Sequence, residues 1–260
     1  MKINKAYNNK KNIFLFMIVL CLFLFNCCGL DTFYYILPPV VPSNFQKPTP
    51  ESDVNFRTFK VQNNTNGELG AGFSLKGSEI YYKIYSEKTD WETETKNLIS
   101  LSDNESTTAI DKLRYQKNDG GYSYQLLNIK NKADDKEYHA YSFSNQNPVQ
   151  IRLTDANLKD ESGEKSEYDA HIINGNVIEG IPVRYNGKTF NFAVSGPLKP
   201  DPLASENDEL DVMKVNEMKT DNDWYVALFA VSKGHDSAYT PYYSNITYLG
   251  SVKIKAGEDN

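Results

Sequence analysis

Apolar and polar positions exchange with the two-residue period of a strand over much of this chain. The clearest early case is Glu79–Tyr85, where Ile80, Tyr82 and Ile84 fall on one face and Tyr81, Lys83 and Tyr85 on the other. Similar runs predict strands at Phe56–Val61, Tyr122–Ile129, His139–Phe143, Val149–Leu153, Trp224–Ser232 and Ile246–Lys255. A meander is predicted over His171–Ile173, Val177–Tyr185 and Thr189–Val194, with turns at Asn174-Gly175-Asn176 and Asn186-Gly187. The period changes once. Thr89-Asp90-Trp91-Glu92 has capping-box spacing ahead of Leu98, Ile99 and Leu101, which predicts a short helix over about residues 90–101. Residues 106–116 fit helix and strand equally, and the polar stretch 131–137 reads as an exposed loop. No internal repeat of solenoid or propeller period stands out.

One apolar stretch has no period. Ile13–Phe25 is unbroken and follows Lys2, Lys5, Lys10 and Lys11, with no acid among them; Asn26 then ends it. At about 1.5 Å per residue, these thirteen residues reach roughly 20 Å as a helix, against a hydrocarbon core of about 30 Å. A basic segment, a short apolar core and a polar boundary predict a signal peptide over residues 1–26 rather than a membrane span.

Leu24-Phe25-Asn26-Cys27 resembles a bacterial lipobox in the relaxed form of spirochaete-type lipoproteins, with Asn26 where a smaller residue is usual. The resemblance implies that Cys27 becomes the mature N-terminus, bearing thioether-linked diacylglycerol and an N-acyl chain. Cys28 is the alternative acceptor, and a conventional cleavage site beside two small residues is the plainer reading. Several acyl chains hold a protein stably, whereas a single chain holds it marginally. The implied partner is the lipid bilayer and the implied location the cell envelope, at the outer membrane and facing outward. Residues 27–52 contain Pro38, Pro39, Pro42, Pro48 and Pro50, which oppose helix and ladder alike. They read as a tether, although Phe33, Tyr34, Tyr35 and Ile36 give it an apolar patch suited to docking on a domain edge or lying at the membrane interface.

The remaining composition narrows the classes. Removing residues 1–26 takes four lysines and no acid, so the net charge moves from −6 to −10, a poor match for nucleic acid. Only Cys27 and Cys28 then remain of the three cysteines, so the fold must stand on packing without a disulfide framework. Eighteen tyrosines and 13 phenylalanines in alternating runs favour strands over helices. The expected fold is all-β, an antiparallel sandwich over residues 53–256 with a β-rich insertion at about 103–215 and a tail at 257–260.

Trp224-x-Val226-x-Leu228-x-Ala230-Val231-Ser232 resembles the F strand of fibronectin type III domains, Ser244-Asn245-Ile246 the turn into their G strand, and Ile80–Tyr85 their C strand. Trp224 stands where that family has the tyrosine of its corner motif. The resemblance implies an immunoglobulin-like sandwich; an unrelated antiparallel sandwich or barrel, or two tandem domains, are the alternatives.

Catalytic patterns are few. His139, His171 and His235 are far apart in sequence, without the close spacing of helical zinc sites. No G-x-S-x-G elbow, P-loop or strand-linked dinucleotide glycine pattern occurs. Asp208, Asp211, Asp221 and Asp223 belong to acidic stretches whose oxygens suit calcium, but their spacing lacks the glycine and terminal glutamate of a calcium loop. Solvated loop charge is the simpler account. No catalytic residue and no cofactor beyond the lipid is therefore expected. Tyr239, Tyr242 and Tyr243 either form a tip that touches a partner or pack beneath their own loop. Three functions fit: a surface-exposed binding or adhesion module for an unknown macromolecule, a periplasm-facing structural lipoprotein, and a carbohydrate-active or lectin-like module.

Overall fold

A computed structural model of the chain describes residues 36–51, 58–64, 72–103, 107–114, 124–131, 133–139, 149–153, 169–173, 176–185, 187, 190, 211–213 and 223–255. The predicted signal peptide and both candidate acylation sites, Cys27 and Cys28, lie outside the described residues, as do the predicted strand Thr189–Val194, apart from Phe190, and the tail at 257–260. Residues 35–260 group as one compact unit.

The organising element is a long antiparallel hairpin, β10 (Asp223–His235) and β11 (Pro241–Lys255). Its first strand pairs from Tyr225 to His235 with β2 (Ser74–Tyr85), with Tyr225 opposite Tyr85 and Ser232 opposite Ser78. Short β3 (Gln125–Leu126) continues this sheet beyond β2, giving the order β11-β10-β2-β3. β9 (Val212–Met213) also pairs with β2, in parallel, an exception to the antiparallel expectation. A second sheet has the order β5-β4-β8-β7, from Glu137–His139, Asn128–Asn131, Asn176–Val183 and Asp169–Ile173. β1 (Thr58–Val61) and β6 (Val149–Arg152) form a separate antiparallel pair.

The strongly periodic strands lie where the pattern puts them, with one difference at the hairpin. Ser244-Asn245-Ile246 is strand rather than turn: the ladder shifts register there, and the Ser244 hydroxyl accepts the Ser232 N–H. The chain reverses at Asp236–Thr240 instead, so both hairpin strands run longer than the apolar pattern implies.

Two helices follow β2, one more than expected. α1 spans Lys88–Asp103 and α2 spans Thr107–Arg114, which resolves the ambiguous stretch as helix. The Trp91 N–H bonds to the Glu87 carbonyl, so Thr89 sits within the first turn and not at the cap.

These elements enclose two apolar cores on opposite faces of the β2–β10–β11 sheet. One face packs Ile80, Tyr82, Ile84, Val226 and Leu228 with Phe59 and Val61 of β1, Ile151 of β6 and Ile129 of β4. This is sheet-on-sheet packing, consistent with a β-sandwich. The other face packs Tyr85, Tyr225, Phe229 and Val231 against Leu98 of α1 and Ala109 and Leu113 of α2. The helices therefore cover the polar face of β2. Lys83, 3% exposed, survives there because its ammonium reaches both carboxylate oxygens of Glu94 on α1, at 2.8 Å each.

The proline-rich stretch is docked over its described length. Ile36 is buried, Val40 bridges to Gln62, and the Pro48 carbonyl accepts the Ser251 N–H. Gly250 has φ +130°, and a Cβ there would lie 2.8 Å from both the ring and the carbonyl oxygen of Pro48. That glycine lets the proline-rich strap lie directly on the outer edge of β11, covering donors that would otherwise invite another strand. Residues 36–51 thus belong to the folded unit, a reading of docking over free coil.

Candidate functional site

β2 and β10 run past the end of α2, and the face that the helices cover lower down changes character there. Glu79 and Tyr81 from β2 share that face with Tyr85, Lys233 from β10 shares it with Phe229, and Tyr243 from β11 lies opposite Lys233, turned to this side by the register shift beyond Val231. Arg114, the last residue of α2, also lines it, with Tyr124, Gln125, Leu126, Asn128 and Tyr185. Together they line a cleft of about 430 Å³, within the range of small-ligand sites.

Its base is a tight polar cluster. Glu79, 2% exposed, accepts from the Tyr81 hydroxyl at 2.7 Å and from the Lys233 ammonium. Burial raises the pKa of Tyr81 well above that of a free phenol, and the Glu79 carboxylate beside it adds to the shift. Tyr81 is therefore a neutral donor at any ordinary pH. The Arg114 guanidinium lies 3.6 Å from the centre of the Tyr243 ring, and Lys233 lies 5.6 Å from it. Among the described residues the lining has two basic side chains and one acid, in a chain whose net charge is −6.

Deeper under the helices, the Tyr85 and Tyr124 hydroxyls pair at 2.7 Å, and Lys83 lies over both rings. Burial pushes both phenols well above their usual pKa.

The three tyrosines singled out by sequence separate. Tyr243 belongs to the cleft. Tyr239 stands at the hairpin tip, 79% exposed, in a left-handed conformation (φ 62°) and stacked on His235 with ring centres 4.8 Å apart. Tyr242 is half-buried, packs edge-on to Phe73 and donates to Asp236 at 3.3 Å. Asp236 holds the tip by accepting the N–H groups of Ala238 and Thr240; these backbone bonds, Thr240 first, keep its pKa low.

The histidines are not gathered by the sheets. His139 lies on β5 and His171 on β7, opposite edges of the second sheet and three strand spacings apart, about 14 Å. His235 lies on β10 of the other sheet. Among the calcium candidates, Asp208 and Asp221 lie outside the described residues. Asp223 pairs with Lys253 at 3.3 Å. Asp211 is fully buried and engaged by Arg184 through two bonds of 2.8 Å, with the Tyr82 hydroxyl adding a third at 2.7 Å. Both Asp211 oxygens are thus occupied, and the group fastens β9 and the end of β8 to β2. Among the described residues, no group of three or more histidine, cysteine or acidic side chains could hold a metal ion, and no helix is long and apolar enough to cross a membrane.

Sequence reasoning passed over Glu79, Arg114 and Lys233. Each is an ordinary charged residue without a motif around it; the pairing of β2 with β10 joins Glu79 to Lys233, 154 residues away, and the packing of α2 on β11 brings Arg114 beside Tyr243. No protein-family model matches the chain, and neither curated proteins nor solved structures yield a match.

Proposed function

We propose that this chain is a lipid-anchored envelope protein, acylated at Cys27, whose folded part is an outward-facing binding module. The anchor rests on the signal-peptide pattern and the lipobox-like residues 24–27. The observation that carries binding over catalysis is the cleft beside Arg114: its lining includes one carboxylate, Glu79, already engaged by Tyr81 and Lys233. Paired-carboxylate hydrolysis needs a second acid across the cleft, at about 5–10 Å. The exposed tip at Tyr239 supplies a second contact surface, since tyrosine offers area at low entropic cost.

The sandwich is read as immunoglobulin-like in type. The order β11-β10-β2 follows the G-F-C order of that class, with Trp224 buried in the sheet-on-sheet core. The α1–α2 layer on the opposite face is an elaboration of that plan.

Protease treatment of intact cells, beside a periplasmic control, tests the orientation. Rapid loss of this protein with the control intact supports an outward module. Protection in intact cells followed by cleavage after lysis overturns it in favour of a periplasm-facing structural role. Acyl labelling should vanish in Cys27→Ala; persistent labelling would move the anchor to Cys28.

A further inference from the structure

Tyr239 occupies a place that backbone energetics would give to glycine. The hairpin closes through the Asp236 N–H to the Thr240 carbonyl at 3.3 Å and the Tyr239 N–H to the Asp236 carbonyl at 3.1 Å, with Tyr239 itself at φ 62°. A turn followed by one left-handed residue is a common way to close a hairpin, and glycine suits that place best. An aromatic residue there costs free energy, and it holds a ring out at the tip, 79% exposed and backed by His235. Strain kept where glycine would fold more easily signals a use for the side chain.

The tip is also suited to leave bulk water. The N–H groups of Asp236, Ala238, Tyr239 and Thr240 all find acceptors within it, two of them on the Asp236 carboxylate. The residues beside Tyr239 from 237 to 241 are Ser, Ala, Thr and Pro, without charge. The strap supplies a direction. The Pro39 carbonyl accepts from the Thr247 hydroxyl and the Pro48 carbonyl from the Ser251 N–H, so the strap runs parallel to β11. Followed toward its N-terminus, it heads for the tip end of the hairpin. Thr247 stands six residues from Pro241, about 20 Å along the strand. The twelve residues from Cys27 to Pro39 reach at most about 40 Å. A cysteine held in a bilayer therefore leaves the tip within reach of the same surface.

We propose that the Tyr239 tip rests on the lipid bilayer that holds the anchor, with its ring in the headgroup region. This rests on the anchored-module reading and assigns a partner to the exposed tip. Tyrosine is favoured at that depth because its ring is apolar and its hydroxyl stays wet. A chain of net charge −6 gains nothing from broad contact with anionic headgroups, so a small contact through one aromatic side chain is the mode its surface allows.

The test places the acylated full chain in phosphatidylcholine vesicles, with Ala238→Trp as a reporter at an exposed tip position. The parent protein, with Trp91 and Trp224, supplies the background emission. Lipid brominated in its upper acyl chain should lower the added emission about twofold or more, as for a ring at the interface. Adding Tyr239→Gly to the reporter should remove most of that quenching. Tyr239→Gly alone should unfold at an equal or higher temperature than the parent, because glycine relieves the left-handed strain. A lower midpoint would show that Tyr239 is kept for folding, and overturns the strain argument. A reporter quenched by aqueous iodide but not by brominated lipid overturns the bilayer contact and gives the tip to a protein partner. Lipid quenching unchanged by Tyr239→Gly overturns the assignment to Tyr239. Failure of the protein to stay with the vesicles overturns the anchor reading and this contact together, whereas retention with an unquenched reporter overturns the contact alone.

Discussion

On the β1–β6 side of β2, Ile80, Tyr82 and Ile84 enter a core built mainly of aliphatic side chains; on the helical side of the same strand stand Glu79, Tyr81, Lys83 and Tyr85. Both faces are removed from water, but by different means. The first is closed by other strands, and its polar groups at β2 are Tyr82, bonded to Asp211, which also holds Arg184, and Ser78, which donates to Asn63. The second is closed by two helices, and its polar groups join in small sets: Lys83 with Glu94, Tyr85 with Tyr124, Glu79 with Tyr81 and Lys233. The teaching is that a strand's polar face need not be its wet face. Among the described residues it opens into a cleft beside Arg114, at the end of its helical cover.

The largest expected effect lies on the strand-packed side. Asp211→Ala removes a buried carboxylate that the Arg184 guanidinium and the Tyr82 hydroxyl both engage, and should cost about 3–5 kcal/mol in equilibrium denaturant unfolding. If the pair serves to fasten and not merely to stabilise, Arg184→Met with Asp211→Leu should recover most of the loss. A loss below about 1 kcal/mol for Asp211→Ala would show that the pair is solvated.

The contrast between faces is sharper in a matched pair of neighbours. Ile84→Ala should cost about 2–5 kcal/mol through its cavity. Tyr85→Phe should cost about 1–3 kcal/mol, because it leaves the buried Tyr124 hydroxyl without its partner. A negligible cost for Tyr85→Phe would mean that the helical face is held by apolar contact alone.

The same phenols set the response to alkali. Burial raises the folded-state pKa of Tyr85 and Tyr124, so the folded protein keeps protons that the unfolded chain releases above about pH 10. Their contribution is complete below that pH and is lost as pH climbs toward the raised folded values. Stability should therefore fall above pH 10 by up to about 1.4 kcal/mol per pH unit for each such phenol. Tyr85→Phe should flatten that fall, as followed by unfolding midpoints and phenolate absorbance.

The smallest effect is local. Gly250→Ala forces a Cβ against Pro48 at an unfavourable φ and should cost on the order of 1 kcal/mol. Hydrogen exchange at the Ser251 N–H should speed up as the strap lifts, while amides in β10 keep their protection.

Much of the fold was legible where a local pattern had a local cause. The alternation at Ile80–Tyr85 and Trp224–Ser232 reports burial directly, and the spacing at 89–101 marked a helix within two residues at each end. The site was hardly legible. Tyr243 was singled out only as one of three loop tyrosines, and nothing near Arg114 in the sequence shows that β2 and β11 lie beside it. The Tyr239 tip was legible as a tip because Gly234 and Pro241 flank polar residues, but its separation from Tyr243 depends on which strand face each residue takes.

The sequence by itself determined the strand-rich class, the first helix and the apolar faces of the longest strands, because each follows from side chains a few residues apart. Only the tertiary structure decided that β2 lies between β10 and β3, that helices bury Lys83, that Asp211 meets Arg184, and that a basic, tyrosine-lined cleft opens beyond α2. Those outcomes depend on pairings across more than a hundred residues of chain, where register and packing, not local periodicity, choose the neighbour.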